Sequence, residues 1–522
     1  MESTIYTMIG LMIVSMGLGS FAARIFKSPF TTFAWLESLI ALFGVSCILL
    51  IALAVSLSSI LPRVIADTFN LPPDLVPSGG LLGVIQQLAR LSPYLFGTII
   101  GFLIGMEIPL IARVRERVYG EHLEHNTGTI YGADYIGAGV GAAIWVTIML
   151  SIDITKAAVF TATANLIAGL VFLYFYWPKI KLRKILLSVH GIIACLVVLI
   201  YLYGENWSIR MTDLLYEDEV VFSHSSRYQH FVLTERYLAN DPEPIYGFYI
   251  NGRLQFSSTD ENIYHSMLVY PPMLVANKRN SVLIIGGGDG LALRDVLRFD
   301  PTEVTLIDLD VELVDFFKGG NNLADFRSDL VELNEHAFSD PRVSFIAGDA
   351  FIEVEKLVAM NRQYDVIIVD LPDPSHPDLD RMYSTYFYKR LSELLSKDGA
   401  MSVQSTSPYH AKNAFLGIGK TIRASNFAQV EQYRQNIPSF GEWGWTIASH
   451  SKMPPRRRLI ELKDPDLQGN QWLTVDLLIA AFEFPGNFYE DLEQIEVNHL
   501  GQNRIYRYHD DAWRRDMGIY RD

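Results

Sequence analysis

The stretch Val282–Gly290, VLIIGGGDG, runs an apolar strand straight into three glycines and an aspartate. A strand that ends in a glycine-rich turn and opens a helix lets a ligand approach the backbone at the carboxyl edge of a parallel sheet, with Gly286 and Gly288 as the points of closest approach. Asp289 adds a charge to that turn. It would repel a ligand tail ending in a carboxylate and attract one ending only in an amine. On its own the stretch also reads as a tight turn with a solvated aspartate.

Working outward, the same pattern repeats. Val304–Asp310, VTLIDLD, reads as a second strand with acids at its end. An acid about twenty residues past a glycine turn commonly accepts both ribose hydroxyls, which makes Asp308 the candidate. A third strand pattern, Val343–Ile346, leads into Gly348, Asp349 and Ala350, where a carboxylate could accept an exocyclic amine. The fourth, Tyr364–Val369, is a continuous apolar run, as expected of a strand buried on both faces, and ends in DLPDP at Asp370–Pro374. Four strands that each deliver an acid to one edge predict a doubly wound, Rossmann-like α/β domain of methyltransferase type. Any one of these aspartates alone is more often a helix cap or turn former than a ligand.

Further motifs lie in the same order along the chain: SRYQ at Ser226–Gln229, INGRLQ at Ile250–Gln255, DENIYH at Asp260–His265, DPRV at Asp340–Val343 and VQSTSP at Val403–Pro408. With GGGDG, GDA and DLPDP they make the chain from about Glu205 onward resemble the spermidine synthases, the polyamine aminopropyltransferase family. The resemblance implies that Gln229, Asp308, Asp349, Ala350 and Pro377 hold the thioadenosine part of decarboxylated S-adenosylmethionine. It also implies that His265, Asp289 and Asp373 hold amines, and that Asp370 is the general base. Decarboxylated S-adenosylmethionine is a co-substrate, so no cofactor and no metal are expected.

The chemistry agrees with that assignment. Aminopropyl transfer is a displacement in which an amine nitrogen attacks the methylene beside a sulfonium, and an amine protonated with a pKa near ~10.4 is no nucleophile. Asp370 sits where a strand meets a loop, and a neighbouring acid such as Asp373 raises the pKa of one of the pair and makes it a better base. Asp373 is then available to a distal ammonium. Tyr264, and Trp443 or Trp445 in PSFGEWGW, could line polyamine methylenes through cation–π contacts or serve as core aromatics, with Trp445 assigned to the core. Two positions depart from the family pattern. Ser266 follows His265 where soluble members usually carry Glu, and Leu371-Pro372 stands where small hydroxyl residues are usual. The first predicts an amine pocket less negative on one side.

Residues 1–204 tell a different story. Apolar runs at Ile5–Ala22, Phe33–Leu61, Leu91–Ala112, Ile130–Leu150, Ala157–Trp177 and Ile185–Tyr203 are each long enough to cross a ~30 Å hydrocarbon core, which predicts a multipass membrane protein. The first run lacks a cleavage-type small-residue pattern and is not read as a removable signal. Glycines at Met16–Gly19 and Gly137–Ala143 predict close helix packing. Glu107 and Asp134 fall in or beside apolar runs, where ionisable groups are expensive; they line a cavity or fix helix packing by a buried hydrogen bond. FLIGMEIPL and YGADYIGAGVG resemble the membrane half of fused bacterial spermidine-synthase-like proteins, which typically begin with one further helix; this chain is expected to start late or to belong to a shorter subgroup.

Charge separates the halves. Residues 1–204 hold 12 Lys and Arg against 10 Asp and Glu, a net of +2, so the rest must supply −15 − 2 = −17. An acidic catalytic half suits cationic substrates and argues against nucleic acid, whose phosphates need basic patches. Cys47 and Cys195 both fall in apolar runs, so no disulfide framework or zinc site is legible. The expected organisation is a helical transmembrane domain at 1–204, a small β-rich segment at 205–260 with an Asn251-Gly252 hairpin turn, and a catalytic domain at 261–522. The partners implied are a polyamine, decarboxylated S-adenosylmethionine and the lipid bilayer, with a homodimer as the implied assembly.

Orientation is contested within the sequence itself. Basic stretches at Arg24–Lys27, Arg113–Arg117 and Lys179–Lys184 should be cytoplasmic, and a sixth span then carries the chain outward. Either one of the six runs is miscounted, for instance by a re-entrant segment around Leu81–Leu91, or the enzyme works on the outer side; the family's substrates are made in the cytosol, and the catalytic domain is expected on the cytoplasmic face. Two other function classes compete with the transferase. One is a polyamine transporter or sensor whose synthase-like domain only binds; the other is a methyltransferase on the same fold, against which Asp289 speaks by repelling the carboxylate of intact S-adenosylmethionine.

Overall fold

The computed structural model describes residues 2–69, 80–120, 123–149, 152–239, 242–319, 325–462 and 465–516. The chain divides into two compact units, Met1–Glu219 and Val220–Asp522.

The first unit is helical: α1 (Glu2–Ala22), α2 (Pro29–Thr68), α3 (Gly80–Tyr119), α4 (Leu123–Thr147), α5 (Ile154–Phe175) and α6 (Arg183–Asp213). Small residues set the closest packing. Gly97, Gly101 and Gly105 recur every four residues along one face of α3, and that face lies against Met8, Met12 and Met16 of α1. A Cβ at Gly101 would stand 2.7 Å from the Met12 carbonyl oxygen, and one at Gly105 would collide with the Met16 backbone. Gly19 of α1 meets the Phe102 backbone, as its glycine-rich stretch predicts. Gly137, Gly139 and Gly141 of α4 instead face open space, so the second predicted stretch packs against nothing within this unit.

Among the described residues five helices are long and apolar enough to cross a membrane: Tyr6–Ile25, Pro29–Ala66, Gly80–Tyr119, Ile154–Phe175 and Arg183–Asp213. The remaining expected span, Ile130–Leu150, falls largely on α4, whose glycines, tyrosines and Asp134 dilute its apolar character; Leu150 lies outside the described residues. Connectivity nevertheless requires the chain at α4 to run the length of the unit. The Arg113 guanidinium donates to the carbonyls of Ala23 and Phe26 at 2.9 and 2.8 Å, and Arg117 to that of Lys27 at 3.1 Å. The Lys181 amide donates to Thr31 Oγ1 at 3.0 Å. All three basic stretches therefore share one end. At the opposite end Lys156 pairs with Glu205 at 2.6 Å and Ser56 donates to the Met211 carbonyl. The chain leaves α3 at the basic end and enters α5 at the other, and α4 makes that crossing; at ~1.5 Å per residue its length suffices.

The second unit begins with a four-stranded antiparallel sheet, β1 (Glu219–Ser225), β2 (His230–Arg236), β3 (Ile245–Ile250) and β4 (Arg253–Ser257), in sequential order. The β3–β4 turn is the expected Asn251-Gly252 pair, both at positive φ (51° and 77°), the conformation a two-residue hairpin needs. One face of this sheet, Phe231, Leu233, Phe248 and Phe256, packs on Phe316 and Phe317. Then follows a seven-stranded mixed sheet of β5 (Ser281–Gly286), β6 (Glu303–Asp308), β7 (Val343–Ala347), β8 (Tyr364–Asp370), β9 (Leu395–Gln404), β10 (Gln429–Ile437) and β11 (Gly441–Ser449), ordered β10-β11-β9-β8-β5-β6-β7. β7, β6, β5, β8 and β9 run parallel; β11 pairs antiparallel with both β9 and β10. The expected doubly wound sheet is thus present with an antiparallel pair at one edge.

Strand order places the site. β5 lies between β6 and β8, so the sheet's direction of winding reverses beside it and a crevice opens at the carboxyl ends there. The register puts Gly286 opposite Asp370 and Ile285 opposite Ile307, one residue before Asp308. The helices that frame this edge are α7 (Glu261–Val275), α8 (Leu291–Leu297) and α9 (Val311–Lys318). α7 is almost wholly buried, packing Met267, Leu268 and Val275 into the core shared with β5, β8 and Trp445. The segment VDLLIAAFEF, expected as a helix, is helical only over Val475–Ala480.

Candidate active site

Glycine geometry comes first, because the carboxylates can converge only if the backbone lets them. Gly286, Gly287 and Gly290 have φ of 82°, 69° and 79°, a region side chains disfavour. A Cβ at Gly286 would collide with the Asp370 carbonyl, and one at Gly288 would stand 2.9 Å from Asp308 Oδ2. The turn is therefore threaded between the ends of β6 and β8. Asp289 turns back on its own helix, accepting from the Leu291 amide at 2.9 Å.

Asp370, at the end of β8, is the centre of the arrangement. Its Oδ1 accepts a 2.7 Å hydrogen bond from the hydroxyl of Tyr264 on α7. Burial and the like charge of Asp289 push its carboxyl up to about 6, although His265 and the Tyr264 hydroxyl act the other way. Burial also raises Asp289, and it raises Asp308 to about 7.

A buried chain of charges balances these acids. His265, one residue past Tyr264, has Nδ1 2.9 Å from Glu261 Oε2. The guanidinium of Arg294 on α8 grips the same carboxylate, with Nη1 2.8 Å from Oε1 and Nη2 3.1 Å from Oε2. Burial alone would lower His265, but Glu261, then Asp289 and Asp370, hold it up at about 9. Burial alone would raise Glu261, yet His265 and Arg294 hold it near 2. His265 is thus an imidazolium, a cation beside Asp289 and Asp370.

Asp373 closes the far end. Its Oδ1 accepts from Gln404 Nε2 at 3.1 Å, and Oδ2 lies 3.2 Å from His509 Nε2 on the C-terminal helix Arg504–Asp516. Burial works against its ionisation, but His509 and Arg253 hold it below the usual carboxylate range. Gln404 also donates to the Leu371 carbonyl at 2.9 Å, and the Tyr383 hydroxyl donates to that of Pro372 at 2.8 Å. The DLPDP loop is pinned through its backbone, so Leu371-Pro372 needs no side-chain hydroxyl there.

The nucleoside side is assembled from loops. Ser226 donates to Asp310 Oδ2 at 2.5 Å, which ties the β1–β2 turn carrying Gln229 to the end of β6. Asp308 accepts from the Asp310 amide at 2.9 Å. Asp349 caps the helix that begins at Ala350, accepting from the Phe351 amide at 3.0 Å, while its Oδ2 pairs with Arg381 at 2.6 Å. Pro377 opens a single helical turn that follows the DLPDP loop. Asp289, Asp308, Asp370, Tyr264 and His265 are brought together, and Asp373 joins them through the field it exerts on Tyr264.

Sequence reading missed Glu261, Arg294, Gln404, Tyr383 and His509. DENIYH contained the first, but a Glu that faces inward at the start of a helix looks like any first-turn acid. The expectation for Ser266 is corrected. Two residues past Tyr264 is about 200° around a helix, so Ser266 faces away from Asp370 and accepts from Asn470 at 2.6 Å, beside a separate cavity of about 490 Å³. Its lack of charge does not reach the amine side. Trp445 is core, fully buried between Tyr264 and Tyr433, and Trp443 packs on Phe440.

The chain is similar to known proteins over most of its length. The model of the spermine/spermidine synthase domain matches residues 261–460. A protein of Shewanella oneidensis named polyamine aminopropyltransferase is 51% identical over 521 residues, spanning 99% of this chain and 90% of its own. Polyamine aminopropyltransferase 1 of Streptomyces coelicolor is 30% identical over 513 residues, 97% of this chain and 87% of its own. A crystal structure of a spermidine synthase in complex with the transition-state analogue AdoDATO aligns with a TM-score of 0.44 and 24% identity, over 53% of this chain and 88% of that one.

The charge chain generates a stability prediction. Its His265 part is fully present below the ordinary histidine value of 6.5 and lost as pH rises through about 9; its Glu261 part is present above 4.5 and lost as pH falls through about 2. Glu261→Gln leaves buried His265 without its carboxylate and Arg294 with Asp295 alone, at 2.9 Å, a loss of about 3–5 kcal/mol, or a melting temperature lower by roughly 10 °C in a thermal-shift assay near neutral pH. An unchanged melting temperature would mean that the chain holds nothing in place.

Proposed function

The chain belongs to the polyamine aminopropyltransferase, or spermidine synthase, family, and from the carboxylates gathered at its sheet edge we propose how it transfers the aminopropyl group of decarboxylated S-adenosylmethionine to a polyamine acceptor. The observation that carries the reading is a buried carboxylate, Asp370, raised towards neutrality and held in place by Tyr264. The acceptor nitrogen, once deprotonated, attacks the methylene beside the sulfonium. A C–N bond forms, the C–S bond breaks with its electron pair returning to sulfur, and methylthioadenosine leaves. Asp370 takes the nitrogen's proton.

The other residues take supporting roles. Gln229, Asp308, Asp349, Ala350 and Pro377, with the turn at Gly286 and Gly288, hold the thioadenosine; Asp289 and Asp373 face ammonium groups. His265 carries a charge that would repel an ammonium in contact with it, and its task is to steady Asp289 and Asp370 while leaving room for substrate cations. Positioning amine and sulfonium in line supplies several kcal/mol of the rate enhancement, and no further cofactor enters. The binding-only alternative has no observation in its favour, since a binder gains nothing from a base poised near neutrality.

The first unit anchors the enzyme in a membrane as a multipass bundle. Its three basic stretches share one end, which the charge rule makes cytoplasmic, and α6 finishes at the opposite end. This supports a non-cytoplasmic face for residues from Asp213 onward, against the expectation drawn from where the substrates are made. Single cysteines introduced at Glu217 in a Cys47, Cys195-free chain should react with a membrane-impermeant maleimide in intact cells. Labelling only after permeabilisation would return the catalytic unit to the cytosol.

For the chemistry, Asp370→Asn should lower kcat by about 10²–10⁴ with the protein still folded. In the wild type kcat/KM should fall about tenfold per pH unit below about 6, because protonation removes the base. Activity retained in the Asn variant would remove Asp370 from the role.

A further inference from the structure

The C-terminal helix Arg504–Asp516 belongs to no motif in the sequence, yet it reaches the amine side of the site. Ile505 is fully buried and Tyr508 and Ala512 pack beside it, which turns His509 and Trp513, one helical turn apart, towards Asp373. His509 is 1% exposed. Its Nε2 receives a hydrogen bond from Trp513 Nε1–H at 2.9 Å and lies 3.2 Å from Asp373 Oδ2. The indole is stacked on His410 at 6.0 Å between centroids, and the Arg253 guanidinium lies 5.8 Å from its ring. The groups behind Asp373 are therefore two imidazoles, an indole and a guanidinium.

Resting on the family reading above, we propose that this helix is the rear wall of the acceptor site: His509 and Trp513 end the amine channel at Asp373 and so restrict the acceptor to a short diamine whose far ammonium stops there. A longer polyamine would have to carry its next ammonium past Asp373 into space filled by the indole and flanked by Arg253. One nitrogen ties the wall to the carboxylate: His509 Nε2 meets Trp513 Nε1 and Asp373 Oδ2 at once, and so fixes the indole relative to Asp373.

The test is methylthioadenosine release by the detergent-purified full chain with decarboxylated S-adenosylmethionine and putrescine, longer diamines or the triamine spermidine. The wild type should favour the shortest diamine, and Trp513→Ala should raise the spermidine-to-putrescine ratio of kcat/KM at least tenfold. Trp513→Phe, which keeps a ring but has no N–H, should keep the length limit and raise KM for putrescine, as should His509→Asn. A wild type that uses spermidine as well as putrescine overturns the inference, as does a length profile that Trp513→Ala leaves unchanged. A wild type that releases no methylthioadenosine with any amine overturns the family reading instead.

Discussion

The arrangement depends on burying several carboxylates together at one sheet edge without letting them repel each other apart. Asp289, Asp308 and Asp370 stand where the sheet reverses its winding, and each is raised by burial. An isolated buried carboxylate would simply take up a proton. The chain His265, Glu261 and Arg294 prevents that by placing a fixed imidazolium beside Asp289 and Asp370, and α7 and α8 must both be in place for it to exist. The balance is partial. Asp370 is left high enough to accept a proton and low enough to be ionised at neutral pH, which is what a general base requires.

The same constraint explains the neighbours of the acids. The glycine turn must pass within contact distance of Asp308 and the Asp370 backbone, which only residues without a Cβ allow. Tyr264 reaches Asp370 because α7 is locked into the core by Trp445 at its back. Gln404 and Tyr383 hold the loop between Asp370 and Asp373 by its carbonyls, fixing the separation of the two carboxylates. Asp373 is met from behind by the C-terminal helix, through His509.

Much of this was legible in the sequence, and the remainder was hidden for definable reasons. The four acid-ended strands, the Asn251-Gly252 turn and the convergence of Asp289, Asp308 and Asp370 follow from local pattern, because strand ends and glycine turns carry their own signatures. The partners of those acids do not. Glu261 and Arg294 meet across 33 residues and Gln404 and Asp373 across 31, and only the tertiary fold brings them together. Ser266 was misread because proximity in sequence to His265 was taken for proximity to the site, whereas helical rotation turns it away. In the first unit the apolar runs read from the sequence already include Ile130–Leu150 on α4, and its course along the unit follows from which ends its neighbours share.

The measurement that bears most directly on the central claim is product analysis by mass spectrometry after incubating the detergent-purified wild-type chain with decarboxylated S-adenosylmethionine and putrescine. Methylthioadenosine and a triamine one aminopropyl group heavier than the diamine, formed in equal amounts, are the result this account predicts. Nucleoside bound but returned unaltered, with no aminopropylated amine from putrescine or any other acceptor, would contradict it.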